Sequence, residues 1–415
     1  MNANTEKPDA PSPGWKRQGG WLFGATATQQ VVATLALFWL ARKIDVEDWG
    51  RFALDAATLG LFGTFGTAKL NILGIRMDGA TWEAGDGRRI LGAVRSEGLV
   101  YFLVASAWFA WRDRLDAGTV ALLVGLPLRH VAQQSRMASE RIGRYGPLAR
   151  LETLALFAGH AVAIGAVLRG HPEHALYWRE GAVGLLLFGL LTWDLSRARL
   201  FTAVPLFVRP SVWWGFLRRS VPAYFDGTIE QVMDRALVLL VGHTAGEYGA
   251  GTFFQAKSLA GRPHLLLAPL ASRLSLGWLS RQSGPVARRD STLALVRRFL
   301  GWALLAAVLT ALVGPPITPL LLGEKWVEAG QALPWFAGFV AGMTLLELIK
   351  INLHVDGRLR ELVRVRVLQF LLLFLVAGFV VAGSFSPVNG MALAVSIATL
   401  GALYDGYRIV ARTER

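Results

Sequence analysis

Apolar residues in this chain come in long runs separated by short polar segments, rather than in the alternation of a half-buried strand or the narrow stripe of a soluble helix. Runs of about 20 residues match the length that crosses a hydrocarbon core of about 30 Å as an α-helix. Twelve such runs stand at 20–41, 52–75, 96–111, 118–135, 151–168, 175–194, 220–243, 249–272, 299–321, 332–354, 367–384 and 388–407. Lipid offers the backbone no water, so each run predicts a helix, and the chain reads as an all-α integral membrane protein with about twelve transmembrane helices. The polar stretch 195–219, with Arg197, Arg199, Arg209 and Pro210, is read as a cytoplasmic linker between a six-helix lobe at 20–194 and another at 220–407. Residues 1–19 and 408–415 are left as cytoplasmic tails.

One element recurs. EDWGRFAL follows the first span and GEYGAGTFF follows the seventh, placing Trp49-Gly50 and Tyr248-Gly249 at equivalent hairpins 199 residues apart. Six spans lie between them, an even number, so the two halves share one orientation, as in transporters built from parallel repeats.

Composition agrees with a chain dissolved in bilayer: 53% of its 415 residues are hydrophobic and only 17% charged. Many of the 15 Trp fall near span ends, including Trp21, Trp39, Trp49, Trp111, Trp193, Trp213, Trp214, Trp326 and Trp335, where an amphipathic ring favours the interface. With the N-terminus inside, 29 of the 43 Lys and Arg fall in cytoplasmic segments against 7 in outside loops, a bias that predicts both termini in the cytoplasm. The same distribution accounts for much of the net charge of +14 without a nucleic-acid surface, since no single face gathers it. Cys is absent, which removes disulfides, iron–sulfur ligation and Cys-based zinc sites and leaves the redox compartment open. The polar N-terminal segment, with three Pro, is read as a disordered tail rather than a signal sequence, and the first span as a retained anchor.

Two groupings imitate catalytic chemistry. Asp45, Glu47 and Asp48 resemble an acidic metal motif, and His171, Glu173 and His174 a metal cluster. The longest outside segments, 42–51 and 322–331, are too short to fold a catalytic site, so the acidic triplet is read as the N-cap of span two and the His pair as a polar turn. No HExxH, GxSxG or phosphate-cradling glycine motif occurs, so neither an enzyme nor an ATP-driven pump is predicted, and no metal or cofactor is expected.

ARKIDVEDWGRFAL, MDRALVLLVG, GEYGAGTFFQAKSLAG and GPPITPLLLGEKWVEAGQAL (Gly314 to Leu333) resemble the polysaccharide flippases, the Wzx-type O-antigen and exopolysaccharide translocases, over about residues 18 to 405. These are relatives of lipid II flippases and multidrug-and-toxin extruders. The resemblance implies a V-shaped pair of lobes, alternating access, and a cationic cavity for an undecaprenyl-diphosphate-linked oligosaccharide at the bacterial inner membrane. Lipopolysaccharide or exopolysaccharide biosynthesis is its expected setting, with a polymerase and export proteins as possible partners.

Charges inside the spans are the candidates for such a cavity, because an ionisable group at bilayer depth must face a cavity or a partner. Asp226, Glu230 and Asp234 stand at i, i+4 and i+8 on span seven, a carboxylate stripe that could hold a coupling H⁺ or Na⁺. Arg235 and Lys257 lie 11 residues either side of Gly246, hence at one depth in an antiparallel hairpin. One Asp234 cannot neutralise both, which leaves positive charge for a diphosphate; a purely structural ion network is the alternative. Arg262, with His264 beside Pro263, and Lys69 and Arg129, with His130, are further candidates, the last three with the alternative of snorkelling to the cytoplasmic face. Glu347 and Lys350, at i and i+3, are expected to neutralise each other. The favoured reading is a flippase for lipid-linked oligosaccharide; a drug/cation antiporter and a membrane glycosyltransferase or polymerase are the alternatives.

Overall fold

The computed structural model describes residues 15–77, 81–197, 204–205, 207–279, 282, 284–383 and 385–412, and among these it is helical with short connections and no strand. The helices are α1 (Trp15–Lys43), α2 (Val46–Phe65), α3 (Leu70–Arg76), α4 (Gly87–Trp111), α5 (Ala117–Arg141), α6 (Tyr145–Leu168) and α7 (Ala175–Arg197). A helical stretch Pro210–Leu279 is broken at Gly246, whose φ of 67° and ψ of −168° turn the chain, giving α8 at 210–245 and α9 at 247–279. Then come α10 (Pro285–Leu322), α11 (Val327–Ala332), α12 (Ala337–Val355), α13 (Leu359–Ala382) and α14 (Pro387–Ala411). Ten of the twelve expected spans each fall on one helix, whereas 52–75 is divided between α2 and α3 and 332–354 enters α12 through a short 3-10 turn at Leu333–Phe336. Helix α8 starts at Pro210, ten residues before the expected span, so residues 210–219 of the linker are helical; Arg199 lies outside the described residues.

Among the described residues, six helical segments are long and apolar enough to cross a membrane on composition alone: α4, α6, α10, the stretch Glu324–Val355, α13 and α14. Helices α2, α5, α7, α8 and α9 hold many of the charges discussed below, and α2 packs on the α8–α9 hairpin and α5 on α7. With helices of this length and apolar character, the chain is a multi-pass membrane protein.

Span two is not continuous. Helix α2 stops at Phe65 and α3 starts at Leu70, with Lys69 in the left-handed region at φ 54°, ψ 38°. Irregular backbone at bilayer depth persists only where it is buried in protein or lines a cavity. Here Glu97 accepts the Ala68 N–H at 2.8 Å, Ser220 donates to the Ala68 carbonyl at 2.9 Å, and Thr67 donates to the Gly63 carbonyl at 2.7 Å.

At one end of the bundle the α1–α2, α8–α9 and α10–α11 turns meet. A Cβ on Gly50 would overlap the Glu247 carbonyl, and one on Gly251 would overlap the Val46 carbonyl, so α2 and α9 cross at backbone contact through two glycines. Val46 and Gly50 thus mirror Glu247 and Gly251, which moves the repeat two residues from the aromatic-Gly register: Gly50 corresponds to Gly251, not Gly249. The close approach demands the missing Cβ, whereas the aromatic neighbour is not part of it. Trp49 and Trp326, expected at the lipid interface, are instead 1% and 0% exposed and meet edge to face at 5.6 Å. Trp326 Nε1 donates to the Ala41 carbonyl at 2.8 Å, Lys325 donates to the Ile44 carbonyl at 2.6 Å, and Arg51 forks onto Glu247 at 3.1 and 3.2 Å. Asp45 occupies the N-cap position of α2 but caps nothing with its side chain, which faces Lys325 at 3.4 Å.

Candidate functional site

The break between α2 and α3 opens onto a cavity of about 470 Å³ bounded by α2, α3, α4, α5 and α8. Lys69, Arg129, Arg235 and His130 line it, with Asn71, Gln133, Gln231 and Tyr101 between them. The left-handed turn carries Lys69 into this space. Helix α5 supplies Arg129, His130 and Gln133 from adjacent turns, and α8 supplies Gln231 and Arg235 at i and i+4, on one face. Arg235 reaches α2 across Gly60, where a Cβ would overlap the guanidinium, and donates to the Ala56 carbonyl at 3.3 Å.

The three cations differ in how their charge is met. Arg129 pairs with Glu180 of α7 at 3.0 Å, and Glu180 also holds Arg179. Among the described residues, Lys69 and Arg235 have no carboxylate partner. The cavity therefore carries surplus positive charge among hydrogen-bonding amides and a phenol.

Lys257 and Arg262 lie apart from this cavity. Lys257 is ion-paired to Asp234, so the hairpin register that placed it level with Asp234 and Arg235 is realised, yet Arg235 turns to α2 while Lys257 stays on the hairpin. The structure thus separates the two cations expected to share one ligand, because Asp234 takes Lys257 alone. Arg262 donates to Thr34 Oγ1 of α1 at 2.8 Å, and His264 Nδ1 lies 3.3 Å from Thr344 Oγ1 of α12.

The carboxylate stripe on α8 is also partnered. Arg366 of α13, 3% exposed, donates through Nε to Asp226 at 3.1 Å and through Nη2 to Glu230. Lys350 approaches Glu230 at 3.4 Å and Glu347 at 3.2 Å, so it does not belong to Glu347 alone, and His354 Nε2 lies 3.9 Å from Asp226. Arg366 escaped the sequence reading because it stands one residue before the apolar run at 367, which counted it as loop. Two buried acids were also missed. Asp55 of α2 accepts from Tyr177 Oη at 2.7 Å and faces Arg114 at 3.3 Å, and Glu97 of α4 bonds Ala68, Trp213 and His130. A single acid within an apolar run was the available signal for both.

The His pair forms a small surface cluster: His171 and His174 flank Glu173 at 3.5 and 3.8 Å and pack on Trp178. Among the described residues, no group of three or more His, Asp and Glu is disposed to hold a metal ion.

The fold is shared with known transporters. A multidrug resistance MATE family transporter of the MOP superfamily, in its inward-facing conformation, superposes with a TM-score of 0.64 over 93% of this chain and 96% of its own, at 11% identity. The lipid II flippase MurJ, in an inward closed conformation, gives 0.67 over 94% and 87% at 14% identity. The Vibrio cholerae MATE transporter VcmN in its bent form gives 0.54 over 96% and 98%, also at 14% identity. No curated protein matches the chain by sequence. A family model does: that of the polysaccharide biosynthesis proteins matches residues 39–331, most of the chain, and the protein belongs to that family.

Proposed function

We propose that this protein is a flippase that moves a lipid-linked oligosaccharide from the cytoplasmic to the outer leaflet of the bacterial inner membrane, as a step in the synthesis of a surface polysaccharide. It acts by transport, without chemistry on its cargo. Lys69 and Arg235, aided by Arg129, hold the diphosphate, while Asn71, Gln133, Gln231 and Tyr101 present hydrogen-bonding groups to the first sugars. The prenyl chain stays in lipid. Alternating access follows from rocking of two six-helix lobes with both termini in the cytoplasm, the crossing at Gly50 and Gly251 separating in one state.

One observation carries this reading: two cations in a cavity of ligand-site size form no ion pair with a carboxylate among the described residues, which suits an anionic cargo. The same lining disfavours a cationic drug, the cargo of the antiporter alternative. Family membership supports polysaccharide rather than drug traffic.

The test is export of surface polysaccharide at matched membrane expression in a strain lacking the native protein. A charge-assisted hydrogen bond contributes about 1.5–3 kcal/mol, so Lys69→Ala and Arg235→Ala should each reduce export by roughly 10- to 100-fold. Normal export by the Lys69→Ala, Arg235→Ala double variant would remove the diphosphate from this cavity.

A further inference from the structure

Beside the cavity stands a carboxylate–imidazole pair that the transport reading leaves unused. His130 of α5 lines the cavity, and its Nε2 lies 3.0 Å from Oε2 of Glu97 on α4. Glu97 is 3% exposed and receives two further hydrogen bonds, from the Ala68 N–H at 2.8 Å and from Trp213 Nε1 at 2.7 Å. These donors belong to the α2–α3 break and to the first turn of α8. One carboxylate thus ties together the break that projects Lys69, the helix that carries Arg235, and the imidazole facing the same space.

We propose that His130 is a proton-binding site coupled to cargo: it takes up a proton as a diphosphate enters the cavity and returns it to water as the diphosphate leaves. This rests on the proposed function. Since Nε2 faces a carboxylate, the neutral ring carries its hydrogen there and donates to Glu97, leaving the Nδ1 lone pair to accept the incoming proton. Uptake forms an N–H bond at Nδ1 as a hydronium ion gives up an O–H bond, and release to water reverses both.

The surroundings set the sign of the coupling. Lys69 lines the same cavity from the α2–α3 break, Arg235 from α8 and Arg129 from α5 itself, and Tyr101 is the other titratable group on the lining. Arg95 of α4 is directed to Gln134 and the Val204 carbonyl, and Arg129 is matched by Glu180. Without cargo, the charges of Lys69 and Arg235, which form no ion pair among the described residues, oppose an imidazolium, and Glu97, in contact with the ring, favours it. A bound diphosphate brings two negative charges and reverses that balance. Linkage is reciprocal, so a cargo that favours the protonated ring must itself bind more tightly when the ring is protonated. Through Glu97 the same event acts on the Ala68–Lys69 backbone and on Trp213, at the junction of α2, α3, α4 and α8.

The experiment is titration calorimetry of the full chain in detergent with farnesyl-diphospho-N-acetylglucosamine, a diphosphate diester with no titrating phosphate near neutral pH. Buffers of different ionisation enthalpy report the protons taken up on binding. The wild type should take up about half a proton or more near neutral pH and bind about tenfold more tightly at pH 6 than at pH 8, within the usual range of site–site coupling. His130→Gln should bind with no proton uptake and with a pH-independent affinity; His130→Asn serves equally if the Gln variant does not fold. Glu97→Gln, which keeps an acceptor for Ala68 and Trp213 while removing the charge, should lower the pH at which uptake occurs. Binding by the wild type without proton uptake overturns the proposal, as does unchanged uptake in a folded His130 variant. If the wild type does not bind the probe at all, the transport reading falls first and this site with it.

Discussion

Replacing Arg366 with Met tests whether the carboxylates of α8 form an ion-coupling site or a structural network. The guanidinium is 3% exposed and holds Asp226 through Nε at 3.1 Å, Glu230 through Nη2, and Gln369 through Nη1 at 2.7 Å. Removing it leaves Asp226, 14% exposed, with His354 at 3.9 Å as its remaining cationic partner among the described residues, and leaves Glu230 sharing Lys350 with Glu347. Breaking a buried pair by deleting one partner costs about 3–5 kcal/mol. The Glu230 side chain is 44% exposed, so its share is screened to roughly 1 kcal/mol or less, and most of the loss belongs to Asp226. A total near 3 kcal/mol should lower the melting temperature of the detergent-purified protein by about 3 °C, at roughly 1 °C per kcal/mol for a chain of this size. The triple variant Arg366→Met, Asp226→Asn, Glu230→Gln should recover to within about 1 kcal/mol of the wild type, because no charge is left uncompensated. Thermal unfolding followed by the fluorescence of the 15 Trp measures both. A single variant that melts with the wild type, or a triple variant no better than the single, refutes the reasoning. Loss of export by a stable triple variant would return Asp226 and Glu230 to the role of ion-coupling residues.

Three further outcomes follow from particular contacts. Gly50→Leu forces α2 and α9 apart and should destabilise the protein by about 1–3 kcal/mol or more, whereas Gly378→Leu on α13, with nothing within 4 Å of its Cβ position, should melt near the wild type; equal melting of the two disproves the crossing. Asp234 and Lys257 neutralise each other, so Asp234→Asn with Lys257→Gln should export more polysaccharide than Asp234→Asn alone, and equally poor export by both would give Lys257 a direct role with the cargo. In this Cys-free chain, Cys placed at Glu173 or Pro387 should react with an impermeant thiol reagent from outside the cell and Cys at Arg289 should not, and labelling of the last in intact cells reverses the topology.

Local physics made the helices legible in the sequence. An apolar run of about 20 residues has one stable form in lipid, so the twelve runs predicted helices without any knowledge of their neighbours. The cost of a charge at bilayer depth likewise marked Lys69, Arg129 and Arg235 as residues that must find a cavity or a partner. Which of these each found depends on contacts far apart in sequence. Arg235 crosses Gly60 into a cavity with Lys69 and Arg129, while Lys257 stays with Asp234 and Asp226 and Glu230 meet an Arg366 some 140 residues away, counted as loop. Hydropathy averages over a window, so it smoothed over the break at 66–69 and hid Glu97, whose three donors come from three different segments. The aromatic-Gly register missed the true crossing for a similar reason: what matters at Gly50 and Gly251 is the backbone of the other helix, and no local pattern records it. The sequence alone determined where the chain is helical and which charges need an explanation; the tertiary structure decided which charges remain uncompensated and therefore available to a ligand, because pairing depends on distances between side chains that only packing sets.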